Sequence, residues 1–177
     1  MIETETKIDE IDKEETEKLL SEGGARCLGK KLMKRWIFVL PHKEGVDRFI
    51  RVRSDGKKAT LTYKRRSGSG LANTMELETV VEDFDETAKI FAEMIGEGLY
   101  QENYRTMYTY HDAEITIDEW PKIPPVVEIE AKSEGDIRQI TARLGIKGKE
   151  LGNISWEKVY AYHGIDLNSF KILKFDD

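Results

Sequence analysis

Cysteine is nearly absent from this chain: Cys27 stands alone in 177 residues. No intramolecular disulfide can form, a cysteine-based metal site is disfavoured, and the lone thiol reads as a buried, inert one. Histidine is scarce too. His42, His111 and His163 lie far apart with no ligand spacing, so each reads as an ordinary surface or turn residue, and the common routes to a zinc site or a Ser-His hydrolase are closed. An excess of positive charge is missing: 28 Lys and Arg face 34 Asp and Glu, for a net charge of −6, which argues against a general nucleic-acid binder. There is no long apolar run, and the N-terminus is acidic. Neither a signal peptide nor a transmembrane helix is expected, and the expected location is cytoplasmic, with no membrane partner.

What is present is the composition of a soluble globular protein, with 39% hydrophobic and 35% charged residues. The length suits one domain with a real core. We expect a single domain over 1–177, with a C-terminal helical extension beyond about residue 146. There is no internal repeat and no low-complexity tract.

The first residues, Ile2-Glu3-Thr4-Glu5-Thr6-Lys7, alternate as a strand does. Asp12-Lys13-Glu14-Glu15 is a capping box opening a helix that Gly23-Gly24 ends. A strand over 34–40 stops at Pro41. Strands at 48–53 and 59–66 flank an Asp55-Gly56 turn, a hairpin signature. The Ser-Gly-Ser-Gly loop at 67–70 lacks the Gly-Lys-Ser/Thr ending of a phosphate loop and is set aside. A strand at 73–81 precedes a helix capped by Asp83, with Ala88, Phe91 and Ile95 at helical spacing. Strands follow near 100–110, 113–120 and 126–131, then a helix begun by Ser133 with Ile137, Ile140 and Leu144 on one face. A short helix near 154–163 and a polar tail finish the chain. The pattern is an α+β protein with roughly eight strands, mostly antiparallel, enough to close into an eight-stranded β-barrel, or tunnel, with helices packed outside.

Each strand carries its charges on one face. Glu3, Glu5 and Lys7 share a face in the first. Arg51 and Arg53 stand opposite Ile50 and Val52; Thr62, Lys64 and Arg66 oppose Leu61 and Tyr63; Glu76 and Glu78 oppose Met75 and Leu77. Arg105 shares a face with Asn103, Thr116 and Asp118 oppose Ile115 and Ile117, and Glu128 and Glu130 oppose Val127 and Ile129. For any one strand the ordinary reading is a wet sheet face. If helices cover the apolar faces of a closed sheet, however, the charges point into a lumen, and buried charges are costly unless paired or holding a charged ligand. Arg and Lys clamp phosphate oxygens; carboxylates reach a polyphosphate through Mg²⁺ or Mn²⁺. The pattern is that of a candidate metal–polyphosphate site. Lys64-Arg65-Arg66 is better explained by a small polyanion than by nucleic acid in so acidic a chain.

The motif Glu3-Thr4-Glu5-Thr6-Lys7 resembles the Glu-x-Glu-x-Lys signature of the CYTH superfamily, the triphosphate tunnel metalloenzymes, which includes class IV adenylyl cyclases, thiamine triphosphatases and inorganic triphosphatases. In order along the chain follow "IRVR" at 50–53, "LTYK" at 61–64, "ELE" at 76–78, "NYR" at 103–105, "ITIDEWP" at 115–121 and "VEIEA" at 127–131. The resemblance spans about residues 1–145. It implies an eight-stranded antiparallel tunnel. It implies that Glu3, Glu5, Asp118, Glu128 and Glu130 are the metal-side acids, for Mg²⁺ or Mn²⁺, and that Lys7, Arg51, Arg53, Lys64 and Arg105 clamp a triphosphate. Glu78, with Glu76, would orient the clamp or assist a metal. Glu3, Glu5, Lys7, Glu128 and Glu130 would form the catalytic set. Thr74 and Asn103 occupy positions where the family often has Arg and Lys, and Arg66 or Arg65 is the cation available to compensate. The "SWEKVYAYHGI" segment either caps one end or packs outside.

The expectation is a metal-dependent enzyme that hydrolyses the terminal phosphate of a small-molecule triphosphate, as a monomer or homodimer. Its rivals are a class IV-type adenylyl cyclase, a polyphosphate-binding module without turnover, and a plain sheet scaffold.

Overall fold

Residues 4–41, 46–67 and 74–176 are described by the computed structural model, apart from the side chains of Asp47, Arg66, Ser67 and Thr74. Glu3, His42 and most of the Ser-Gly-Ser-Gly loop lie outside the described residues. The elements run β1 (Thr4–Asp9), α1 (Lys13–Glu22), β2 (Arg26–Val39), β3 (Val46–Ser54), β4 (Ala59–Ser67), β5 (Thr74–Val81), α2 (Phe84–Ile95), β6 (Leu99–Tyr110), β7 (Ala113–Glu119), β8 (Val126–Ala131), α3 (Glu134–Leu144), β9 (Lys149–Gly152), α4 (Trp156–Tyr162) and β10 (Ile172–Leu173). The expected α+β class with an antiparallel sheet is what the chain adopts. The sheet has 10 strands rather than eight, in the pairing order β5-β4-β3-β2-β6-β7-β8-β1-β9, with β10 parallel to β6. The pairing path ends at β5 and β9, and no ladder joins those ends among the described residues. No helix of the described residues is long and apolar enough to cross a membrane.

Three helix starts follow directly from sequence chemistry. The side chains of Asp12, Asp83 and Ser133 each accept a hydrogen bond from the backbone N–H three residues on, satisfying a donor the first turn cannot. α3 ends at Gly145, whose φ of +66° is the left-handed cap that glycine adopts without strain.

The chain forms two compact units, each assembled from separate stretches of sequence. The first (residues 1–31 and 103–169) holds β1, β7, β8, β9, α1, α3, α4 and the ends of β2 and β6. Ile8, Ile115, Ile117, Val127 and Ile129 form the apolar face of its strands, and Leu20 of α1 and Ile137, Ile140 and Leu144 of α3 cover it. Gly148 passes so close to the backbone oxygen of Asp9 that a Cβ there would lie 2.4 Å from it.

The second unit (residues 32–102 and 170–177) is the β2–β3–β4–β5 meander with α2 and β10. Phe38, Val52 and Ala88 make its core, with Trp36, Ile50, Leu61, Phe91 and Ile95 packed around them. Helices therefore sit on the apolar strand faces in both units, and the charged residues occupy the opposite faces. Cys27, expected to be buried, is exposed on β2, where its thiol lies within hydrogen-bond reach of the Tyr108 hydroxyl at the edge of the core.

Candidate functional site

In the first unit, register gathers the charges of four strands on one face. Glu5 lies opposite Glu130, and Lys7 opposite Glu128. Glu130 is in turn opposite Glu114, Glu128 opposite Thr116, and Arg105 opposite Asp118. Lys7 is 3% exposed, so its ammonium needs partners. It has them: Nζ lies 2.9 Å from Glu128 Oε2 and 3.3 Å from Glu5 Oε1. Its Nζ also lies 5.7 Å from the ring centre of Trp156 on α4, within cation–π range.

Asp118 is wholly buried. Arg105 grips it in a fork, Nε to Oδ1 and Nη2 to Oδ2, both at 2.7 Å. Asn103 Nδ2 donates to Oδ1 at 2.7 Å and the Thr116 hydroxyl to Oδ2 at 3.1 Å. Four donors to one carboxylate offset the cost of its burial. For Arg105, burial opposes the charge, but Asp118 and Glu128 outweigh it and hold the guanidinium more firmly protonated than usual. Asp118, expected on the metal side, thus has both oxygens engaged by protein donors. Asn103, standing where a cation was expected, is one of those donors.

The second unit carries the other charged face. Arg51 lies opposite Thr62 and Thr62 opposite Glu78; Lys64 lies opposite Glu76. Lys64 Nζ is 2.8 Å from Glu76, and the Thr62 hydroxyl donates to Glu78 at 2.7 Å. The guanidiniums are held more loosely: Arg51 Nη2 is 3.6 Å from Glu78 and 3.7 Å from Glu76, and Arg53 Nη2 is 3.9 Å from Glu78. Burial pushes the Glu78 carboxyl up, but the Thr62 hydroxyl, Arg53 and Arg51 together hold it below the ordinary carboxylate value.

The sequence-predicted residues therefore fall into two sets. Glu5, Lys7, Arg105, Asp118, Glu128 and Glu130 share one face in the first unit; Arg51, Arg53, Lys64 and Glu78 share one in the second. Glu3 and the Arg66 side chain lie outside the described residues. Among the described residues, no three His, Cys, Asp or Glu side chains converge as a ready metal-ligand cluster. Sequence reasoning missed Glu114, which register adds to the Glu5–Glu130 row, and Trp156, whose α4 lies far along the chain from β1. It also missed a buried pair: His163 Nε2 lies 2.8 Å from Asp9 Oδ2, and Asp9 is fully enclosed. His163 is thus tied to β1 rather than free on a turn. Trp156 packs on Trp120, ring centres 4.6 Å apart, and Tyr160 donates its hydroxyl to the Pro121 carbonyl at 2.7 Å, so α4 packs against the segment after β7.

No known family model matches the chain, and neither does any curated protein. Solved structures do. The PH1012 protein of Pyrococcus horikoshii OT3 matches with a TM-score of 0.67 at 22% identity, over 82% of this chain and 92% of that one. A proposed adenylate cyclase from Vibrio parahaemolyticus matches with a TM-score of 0.67 at 11% identity, over 91% of this chain and 98% of that one. HpAC1 from Hippeastrum, a proposed adenylyl cyclase with a dominant triphosphatase activity, matches with a TM-score of 0.57 at 14% identity, over 91% and 95%. At these identities the likeness is one of fold, and at that level it agrees with the resemblance read from the motifs.

Proposed function

We propose that the chain is a divalent-metal-dependent enzyme acting on a triphosphate compound, and that it hydrolyses the terminal phosphoryl group. The observation that carries this reading is the cation row of the second unit. Arg51 and Arg53 stand 3.6–3.9 Å from Glu76 and Glu78, and Arg51 Nη2 also donates to the Thr62 hydroxyl at 3.3 Å. Such guanidiniums exchange a carboxylate for phosphoryl oxygens at little cost, because both acceptors suit the same fork. Glu76 and Glu78 aim the cations; they do not lock them.

The first unit supports the metal side of the reading. Glu5 and Glu130 are directly opposite on an antiparallel pair, where like charges repel and a bound cation relieves them. Carboxylate oxygens are the donors that Mg²⁺ and Mn²⁺ prefer. Glu5 and Glu130, with Glu3 and Glu128, would hold the ion, which when bound neutralises charge developing on the transferred phosphoryl group. Asp118 is assigned to Arg105, which it orients; Arg105 and Lys7 are the cations this unit offers to phosphate oxygens. Water attacking the terminal phosphorus breaks the P–O bond to the rest of the chain and yields orthophosphate and the shortened phosphate.

Two neighbours in fold are named as adenylyl or adenylate cyclases, and one of them has a dominant triphosphatase activity. This favours a second reading, in which the 3′-hydroxyl of ATP displaces pyrophosphate from the α-phosphorus. Hydrolysis is preferred because water needs no nucleoside surface. Incubation with inorganic triphosphate, thiamine triphosphate and ATP, with Mg²⁺ or Mn²⁺, decides it. Orthophosphate release that stops with EDTA is the expected result. Cyclic AMP as the main product from ATP would replace the hydrolase with the cyclase, and no turnover of any of the three would remove the enzyme.

A further inference from the structure

Lys7 is given two tasks that exclude one another. Its ammonium is to meet phosphate oxygens, yet it already holds two of the acids that would bind the metal: Nζ lies 2.9 Å from Glu128 Oε2 and 3.3 Å from Glu5 Oε1. Register sets this contact, since Lys7 is directly opposite Glu128 and Glu5 stands two residues earlier on the same face. The Trp156 ring centre lies 5.7 Å from the ammonium, and the lysine side chain is enclosed. A polyphosphate reaching Lys7 in this arrangement meets an ammonium already matched by two carboxylates, and those carboxylates repel its oxygens.

The neighbouring cation is not the one to move. Arg105 is fixed by two 2.7 Å bonds to Asp118 and reaches Glu128 at 3.4 Å. Lys7 is held differently. An ammonium has no preferred plane and sits on a flexible stem, so it exchanges one oxygen for another without losing a fork. The acids it would leave, Glu5 and Glu128, share their face with Glu130, which is directly opposite Glu5. Three carboxylates beside a departing ammonium are costly by themselves. They suit a divalent ion, which brings twice the charge and prefers oxygen ligands.

We propose that Lys7 is a cation released by metal: it bridges Glu5 and Glu128 until a divalent ion takes them, and only then carries its ammonium to a phosphoryl oxygen. The inference rests on the metal–triphosphate reading above and adds the order in which that site fills. Lys7 and the ion compete for the same two acids, so each weakens the other there. Polyphosphate that arrives without the ion cannot recruit Lys7, and the first unit admits phosphate only after metal.

The test uses the full chain at neutral pH. Acetylation by a limiting amount of acetic anhydride is read at each lysine by peptide mass spectrometry, in EDTA and in saturating Mg²⁺. Lys13 is the internal reference: it is half-buried in the same unit and paired with Glu119 at 3.1 Å. Lys7 should label at least about fivefold faster in Mg²⁺ than in EDTA, with Lys13 unchanged, and inorganic triphosphate added to the Mg²⁺-loaded chain should protect Lys7 again. Binding of Mn²⁺ alone, followed by the electron paramagnetic resonance of the free ion, should be at least about fivefold tighter in Lys7→Met than in the parent, because no ammonium has to be displaced. A parent that binds Mn²⁺ while Lys7 labels equally in EDTA and Mg²⁺ overturns the exchange and leaves the metal–triphosphate reading intact. Mn²⁺ binding no tighter in Lys7→Met than in the parent overturns it as well. An equal rise at Lys13 assigns the labelling to loosening of the whole unit and has the same consequence. A parent that does not bind Mn²⁺ overturns both the exchange and the reading beneath it. If Lys7→Met does not fold, the labelling of the parent decides alone.

Discussion

The two units carry the same alternation of charged and apolar residues, yet they treat their charges differently. In the first, two of the acids on the charged face are enclosed: Asp118 is at 0% exposure and Glu128 at 13%, with contacts of 2.7–2.9 Å to Arg105 and Lys7. In the second, Glu76 and Glu78 are 40% and 37% exposed, and the arginines stand at 3.6–3.9 Å. Lys64 is the tight exception. The burial of the carboxylates accounts for much of the difference, since Arg51 at 17% exposure is no more open than Arg105 at 20%. A charge taken out of water must be satisfied within the fold or it costs several kcal/mol, whereas a charge at a wet face can wait for a ligand. The Asp118–Arg105 fork of the first unit therefore serves structure and orientation first, while Arg53 of the second unit has its carboxylate at the longest separation of the set.

The largest test of this contrast is Asp118→Ala. It leaves Arg105 without its fork partner and should lower stability by about 3–5 kcal/mol, read as the midpoint shift in urea unfolding. A loss below about 1 kcal/mol would erase the distinction between the units. Next is Glu5→Ala. Of the three acids paired with Lys7 and Arg105, Glu5 is the most exposed, at 35% against 13% for Glu128 and 0% for Asp118, and should be the one that can leave Lys7 for a metal. Turnover should fall about 100-fold while the urea midpoint barely moves; a large stability loss with activity retained would class Glu5 with Asp118.

Arg51→Ala probes the second unit. Stability should stay within about 1 kcal/mol, while affinity for inorganic triphosphate falls about tenfold. If unfolding shifts more than binding does, the loose arginines are structural after all. The smallest effect is the pH dependence of Glu78. Its folded carboxyl lies below the free value of 4.5, so its stabilisation is fully present above that value and is lost as pH falls through the depressed one. At this exposure solvent screens the effect to less than about 1 kcal/mol. Glu78→Gln should therefore be slightly less stable than the parent at pH 7 and equal to it near pH 2. An equal gap at both pH values would place the effect in packing rather than charge.

Much of this was legible in the sequence, because a period of two residues states which side chains share a face without any knowledge of partners. The faces of β1, β3, β4, β5, β7 and β8 follow from alternation alone, and the helix starts at Asp12, Asp83 and Ser133 from capping chemistry. The first half of β2 was not legible: Arg26-Cys27-Leu28-Gly29-Lys30-Lys31 does not alternate, and most of that stretch is exposed. β9 was missed because four residues, Lys149–Gly152, with Leu151 their only apolar side chain, are too few to show an alternation. Pairings depend on register, which composition does not encode. Nothing in the chain says that Asn103 meets Asp118, or that Glu114 joins Glu5 and Glu130.

The placement of the tryptophans gives each unit its own optical label. The chain has three. Trp36 lies beside Tyr100 in the second unit, ring centres 5.1 Å apart, while Trp120 and Trp156 pack at a 37° tilt in the first, with the Lys7 ammonium beside Trp156. A Trp36→Phe chain would emit from the first unit alone, and a chain lacking Trp120 and Trp156 from the second. Ligand and metal titrations could then be followed unit by unit in one cuvette, without a dye.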